Sequence, residues 1–235
     1  MAFDFGRRLN HDPRSREYSF VRRAERGVSV RHAMYARNLD QFYLSACVGF
    51  TGAHFLNTVA GSLCRRRYNL LHADAVRPRR LDRYLDNNDG IHNYSKSTER
   101  DPFPWVYPPT DDGSSALGLM KWWKDLGVIT EYRWTFTFDA FLAALQTQPV
   151  LVGTNWYDDM METDERGIVH SSASGDGGGH EYLANAIDWN RHLIGCENSW
   201  GEDVFGKRGT FYLPFALAEE LIIHQQGDVA VPSLH

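Results

Sequence analysis

A thiol becomes a useful nucleophile when an imidazole takes its proton and a helix N-terminus stabilises the thiolate. A third group must hold the imidazole in one tautomer, and hydrogen-bond donors must meet the oxyanion of the tetrahedral intermediate. Cys47, His180, Asn198 and Gln41 offer one candidate for each of these tasks. Cys47 opens an apolar run, where the partial positive charge of a helix end favours a thiolate. Gln41 lies six residues earlier and carries a side-chain amide able to donate to an oxyanion. His180 follows three glycines and precedes an apolar stretch, so its ring is expected at a strand edge with little around it to block approach. Asn198 closes another apolar stretch, HLIGCE, and two antiparallel neighbouring strands would set it beside His180.

The elements that must position these residues are visible as periodicity and punctuation. From about Ser45 to Ser62 small and apolar residues recur at helical spacing, the pattern of a buried helix in spite of two interior glycines. SSALGLMKWWKDLG, residues 114–127, reads as a second helix, capped by Ser114 or Ser115 and ended at Gly127. FDAFLAALQTQ, residues 138–148, reads as a third, closed by Pro149. PVLVGTNWY, EYLANAIDW, HLIGCENSW and GTFYLPF then read as strands, and VSVRHAMYA at 28–36 has room for a short one. Residues 86–115, rich in Pro, Gly, Asn and Asp, read as the longest loop, and residues 1–27 as a polar, arginine-rich arm. Helices that lead and strands that follow predict an α+β fold of two lobes.

Three segments together resemble the papain-like cysteine peptidases. LDQFYLSAC is similar to that family's Q-x-x-x-x-x-C element, GGGHEYLANAIDW to its histidine strand, and ENSWGEDVFGKRGTFYLPF to its N-S-W-G segment. GSSALGLMKWWKDLGVI resembles the helix on the far side of that family's cleft, so the likeness spans roughly residues 28–215. The resemblance implies a helical lobe over about 40–135 and a β-barrel-like lobe over about 136–220, within a peptidase domain at 28–235 that follows the arm. It implies an acyl-enzyme on Cys47, His180 as base and acid, Asn198 as orienter, and Gln41 with the Cys47 N–H as oxyanion hole. Trp200 is expected to shield the Asn198–His180 bond, and Gly113, Ser114, Gly179, Glu181 and Trp200 to border bound substrate. No cofactor or metal is expected, and the partner is a protein or peptide substrate.

The departures from the family pattern are specific. Leu44-Ser45-Ala46-Cys47-Val48 replaces the glycine–serine–cysteine–tryptophan run, Phe205 stands near the place of a second tryptophan, and Glu181 follows the histidine where a small residue is usual. A carboxylate there predicts a preference for a basic substrate side chain. The missing disulfide cysteine suggests a bacterial or phage-type member, and residues 1–27 are expected to be too short to cover the cleft as a full propeptide does. Asp188 is rejected as orienter, because eight residues of strand at ~3.3 Å each put it on the order of 26 Å from His180. His54 is expected to pack inside its helix, while His170 and His192 flank strands at the surface. A papain-like fold that only binds, a cell-wall peptide hydrolase and an acyl transferase are alternatives that use the same residues.

Composition excludes other classes. With 43% hydrophobic and 13% aromatic residues in 235, the chain has material for a real core. Three cysteines without paired spacing argue against a disulfide framework. No apolar run approaches the ~18 residues of a membrane span, and the N-terminus lacks the apolar core of a signal peptide. A cytoplasmic location is therefore expected. Residues 1–83 hold 16 of the 25 basic residues and 7 of the 30 acidic ones, a net +9, against nine basic and 23 acidic, a net −14, in the remainder. No nucleic-acid reader motif accompanies that basic half, so no nucleic-acid partner is expected.

Overall fold

The computed structural model describes residues 5–72 and 80–234. The first long helix, α1 (Cys47–Leu56), is buried at all ten positions, as a helix apolar on every side must be. It is shorter than the apolar run that announces it, since the chain turns at Asn57 and resumes as α2 (Ser62–Leu71). The glycines in α1 have a packing reason. A Cβ on Gly49 would collide with the Gly90 carbonyl and the Tyr94 backbone of α3 (Asn87–Thr98), so the two helices meet backbone to backbone.

Helix α3 corrects the loop expected over 86–115. Asp86 accepts from Asn88 and Asp89 amides, and the Asp89 side chain accepts from the Asp86 amide, a reciprocal cap that starts a helix of mediocre propensity. Arg83 grips Asp89 with two hydrogen bonds of 2.6 and 2.8 Å. Helix α4 (Ala116–Leu126) begins where expected, with Ser115 Oγ accepting from the Gly118 amide, and ends on a left-handed Gly127. Helix α5 (Phe138–Thr147) is capped by Thr137.

The strands form one antiparallel sheet. β1 is the two residues Val30–Arg31, β2 is Tyr132–Trp134, β3 Val150–Tyr157, β4 Gly177–Asp188, β5 Leu193–Glu197, β6 Thr210–Pro214 and β7 Asp228–Pro232. Their order is β2-β7-β3-β4-β5-β6, with β1 added on β4. Strands β2 and β7 join the sheet from outside the 136–220 span. Alternation along the strands sorts the core into two. Leu151, Leu183 and Ala230 face the helical cluster with Cys47, Phe50, Phe55 and Trp123. Val150, Val152, Tyr182, Ala184 and Val229 face a second cluster with α5, Phe205 and Phe211. The α+β reading thus holds, with α1 and α4 packed on one face of an antiparallel sheet and α5 on the other. Among the described residues no helix is long and apolar enough to cross a membrane.

Candidate active site

The site lies where the N-terminus of α1 meets the start of β4. His180 sits on β4 and Asn198 directly follows β5, its neighbour in the sheet. His180 Nε2 is 2.9 Å from Asn198 Oδ1, and the same oxygen accepts from the Ser199 amide at 2.7 Å. The oxygen can only accept, so Nε2 must carry the imidazole proton and Nδ1 keeps its lone pair. Nδ1 is buried without a hydrogen-bond partner. The ring stacks on Trp200 at 4.9 Å and meets the edge of Trp156 at 5.1 Å. Asp188, at the far end of the same strand, takes no part in this arrangement.

Cys47 is the first residue of α1, where the helix leaves its leading amides without intrahelical partners. Its thiol is fully buried and pushed up to about 12, chiefly by desolvation and next by the charge of Glu181. Backbone amides of Glu181, Gly6 and Val48 draw it partly back. Thiol and imidazole are therefore set by adjacent residues of β4, the Glu181 amide touching one and His180 bearing the other. Burial also depresses the His180 imidazole to about 4, against the upward pull of Asn198. Both groups are neutral at neutral pH in this arrangement.

Gln41 is held across the lobes. Its amide nitrogen donates to the Ser199 carbonyl at 2.8 Å, its Oε1 accepts from Ser199 Oγ at 2.6 Å, and its Nε2 donates to the Leu44 carbonyl at 2.7 Å. One of the two Nε2 hydrogens is thus engaged and the other is spare. The wall opposite β4 is the segment Asp111–Ser115. Tyr94 Oη donates to Asp111 at 2.7 Å and accepts from the Gly113 amide at 3.0 Å, while half-buried Asp101 takes Ser114 Oγ at 2.7 Å and the Ser115 amide at 3.0 Å. Tyr94 belongs to α3, so the missed helix is what fixes this wall.

The expectation of an open imidazole is overturned, because the arm runs through the groove. Ser114 N donates to the Gly6 carbonyl at 2.8 Å, Arg8 N to the Ser114 carbonyl at 2.7 Å, and Arg7 N to the Gly179 carbonyl at 2.9 Å. Gly113, Ser114 and Gly179 thus border a peptide segment of the chain itself. Phe5 packs edge-on to His180 with the ring centroids 6.4 Å apart, and a Cβ on Gly6 would fall inside the Ser45 carbonyl. Four consecutive residues, Phe5 to Arg8, make these contacts. The Arg7 side chain turns down into a pocket with Glu181 and Asp228, where Nη2 donates to Asp228 Oδ2 at 3.1 Å and to the Gln226 carbonyl at 3.0 Å.

Sequence reasoning missed Arg7, Gly153, Asp228 and Tyr94. Gly153 carried a weak signal, a glycine inside an otherwise apolar strand, which often marks close approach of another group. The other histidines stand outside the site. His54 is buried in α1, accepts from the Leu39 amide at 2.9 Å and is depressed to about 3 by desolvation, as a packed neutral ring. His170 is exposed beside Asp164. The three cysteines are unpaired and buried.

No protein-family model matches the chain, and no curated protein matches it. Solved structures do. Xylellain, a cysteine protease from Xylella fastidiosa, is 18% identical over 97% of this chain and 95% of its own, with a TM-score of 0.60. The bromelain protease from Ananas comosus, solved with the E64 inhibitor, is 14% identical over 85% of this chain and 94% of its own, at 0.48. A cysteine protease of ragweed pollen in its proform is 14% identical over 86% and 63%, at 0.50. The xylellain match shows that this chain has the papain-like two-lobe fold.

Proposed function

We propose that this chain is a cysteine peptidase whose nucleophile is Cys47, caught here with its groove filled by its own N-terminal arm. The observation that carries the reading is the His180–Asn198 bond, which leaves a bare, buried Nδ1 on the residue next to the one whose amide touches the thiol. Nothing in packing requires an unsatisfied imidazole nitrogen there, and a buried polar atom without a partner costs about 1–3 kcal/mol.

With the groove free, the thiol proton passes to His180 Nδ1 and Sγ attacks the peptide carbonyl carbon. The developing oxyanion is met by the spare hydrogen of Gln41 Nε2 and by the Cys47 amide at the helix start. His180 returns the proton to the leaving amine, and water then hydrolyses the thioester with His180 again as base. Asn198 holds the ring in the tautomer this requires, and Trp200 keeps water off that bond. The substrate is a protein or peptide.

The arm fills the groove with the Gly6 carbonyl accepting from Ser114 N and Arg7 N donating to the Gly179 carbonyl. The test is turnover of a casein or mixed-peptide substrate by the chain and by Arg7→Gln. Hydrolysis that rises in the variant and vanishes on adding Cys47→Ala supports the reading; hydrolysis that survives Cys47→Ala removes it.

A further inference from the structure

We propose that Asp111 is a positioning residue for the oxyanion hole: it fixes the Leu44–Ser45 peptide, and that peptide aims the Gln41 amide. The inference rests on the peptidase reading above and extends the machinery of that site to a carboxylate on the wall opposite β4.

One peptide unit makes the connection. Its carbonyl, that of Leu44, accepts from Gln41 Nε2 at 2.7 Å. Its N–H, that of Ser45, donates to Asp111 Oδ1 at 3.1 Å and to Oδ2 at 3.3 Å. A peptide is planar, so a bond at the N–H end sets the direction of the carbonyl at the other. Whichever hydrogen of Gln41 Nε2 that carbonyl does not take is the one left for an oxyanion. Leu44, Ser45 and Ala46 lie in no helix or strand that could fix the plane instead.

Asp111 is itself aimed from α3. Tyr94 Oη donates to Asp111 Oδ1, and burial, followed by that bond, pushes the phenol up, so it stays a donor at neutral pH. Tyr94 is in turn registered on α1. Its neighbour Asn93 donates through Nδ2 to the Gly49 carbonyl at 3.0 Å, and the Tyr94 backbone takes the space a Cβ on Gly49 would need. Gly49 lies two residues beyond Cys47. A path from Gly49 through Tyr94, Asp111 and Ser45 to Gln41 therefore measures the oxyanion donor from the helix that bears the thiol. A carboxylate suits this post, because its charge polarises the peptide it binds and makes the Leu44 carbonyl a better acceptor.

Two reactions of one thiol test this apart from access and folding. In acylation by p-nitrophenyl acetate, Sγ bonds to the carbonyl carbon through an oxyanion, p-nitrophenolate leaves, and the thiol proton goes to His180. Alkylation by iodoacetamide forms no oxyanion. The ratio of the nitrophenolate burst rate to the alkylation rate is measured on full-length Arg7→Gln, alone and with Asp111→Ala, Gln41→Ala or both. The account expects Asp111→Ala to lower the ratio at least about tenfold, a part of the roughly 10²–10³ that losing a donor outright costs. It expects no further loss from Asp111→Ala once Gln41→Ala is present, because the one acts through the other. Asp111→Asn, whose Oδ1 still accepts, should restore most of the ratio.

An unchanged ratio, or an equal loss with and without Gln41, overturns the proposal. So does a missing burst while iodoacetamide reaches Cys47. The ratio cancels access, so the parent chain serves as background should Arg7→Gln fail to fold. Tyr94→Phe, which removes the group that aims Asp111, replaces Asp111→Ala on the same terms. The expected coupling in a chain that cuts no peptide contradicts the peptidase reading and leaves Asp111 in place. Peptide cleavage with a ratio indifferent to Asp111 does the reverse.

Discussion

Arg7 and Asp228, near opposite ends of the chain, form a buried ion pair with Nη2 3.1 Å from Oδ2. The pair lies beside the groove that holds Cys47, and it fastens the N-terminal arm across that groove. Other charges of the arm are solvated: Arg14 and Asp12 pair at the surface, where screening leaves little net stabilisation. Arg7 thus carries the arm's buried ion pair, and removing one partner of such a pair costs about 3–5 kcal/mol.

Arg7→Gln should therefore loosen the arm and expose the thiol. Alkylation of Cys47 by iodoacetamide at pH 7.5, followed by intact mass, should be slow in the parent chain and at least about tenfold faster in the variant, since 1.4 kcal/mol of lost closure already gives tenfold. Equal rates would show that the arm does not control access.

Gly153→Ala should act on the same contact from below. Its Cβ meets Glu181, Asp228 and Arg7 together, and overpacking of a filled site costs roughly 1–3 kcal/mol. The expected result is a lowered Tm together with faster alkylation of Cys47. A lowered Tm with unchanged alkylation would mean that the sheet distorts while the arm stays seated.

Asn198→Ala should separate orientation from nucleophilicity. It removes the acceptor of His180 Nε2 and of the Ser199 amide. In an arm-loosened background kcat should fall by about 10²-fold or more, as when a base loses its orienter, with KM little changed. Unchanged kcat would remove Asn198 from the mechanism.

Acid should destabilise the fold through its buried imidazoles. His180 and His54 are depressed to about 4 and about 3, so the unfolded chain binds their protons first as pH falls. Their contribution to stability is intact above about pH 6.5, the unfolded value, and is lost progressively between there and pH 4 to 3. Glu181 is raised well above the usual carboxylate range by burial, with the charge of Asp228 adding to it, and works in the opposite sense. It favours the fold below about pH 4.5, the ordinary value of its carboxyl, and that contribution fades as pH rises through the raised value. Urea unfolding at pH 7, 5.5 and 4.5 should show falling midpoints in the parent and a shallower fall in His54→Asn, provided that variant folds. A parallel fall would assign the effect elsewhere.

How much of this was legible in the sequence depends on distance along the chain. Helices α4 and α5 announced themselves through local caps, and strands β3 to β6 through apolar runs between turns. The pairing of His180 with Asn198 followed from two adjacent strands joined by a short turn. Helix α3 was hidden because its polar, asparagine-rich sequence reads as loop; only the Asp86–Asp89 spacing marks its start. The pocket was half visible, through Glu181 next to His180. Its other half needed Asp228, brought in by a strand that enters the sheet on the far side of β3. Arg7 was one arginine among the sixteen of the first 83 residues, and nothing local distinguished it from its solvated neighbours. Only the folded groove did.

The central claim is that Cys47 is a nucleophile worked by His180 in a groove that the arm keeps closed. Its most direct test is intact mass after treatment with a papain-directed epoxysuccinyl inhibitor, on Arg7→Gln and on the same chain carrying Cys47→Ala or His180→Ala. The account predicts one adduct on Arg7→Gln, none with Cys47→Ala, and a much slower adduct with His180→Ala. An adduct that forms as fast without His180, or no adduct while iodoacetamide still reaches Cys47, would contradict it.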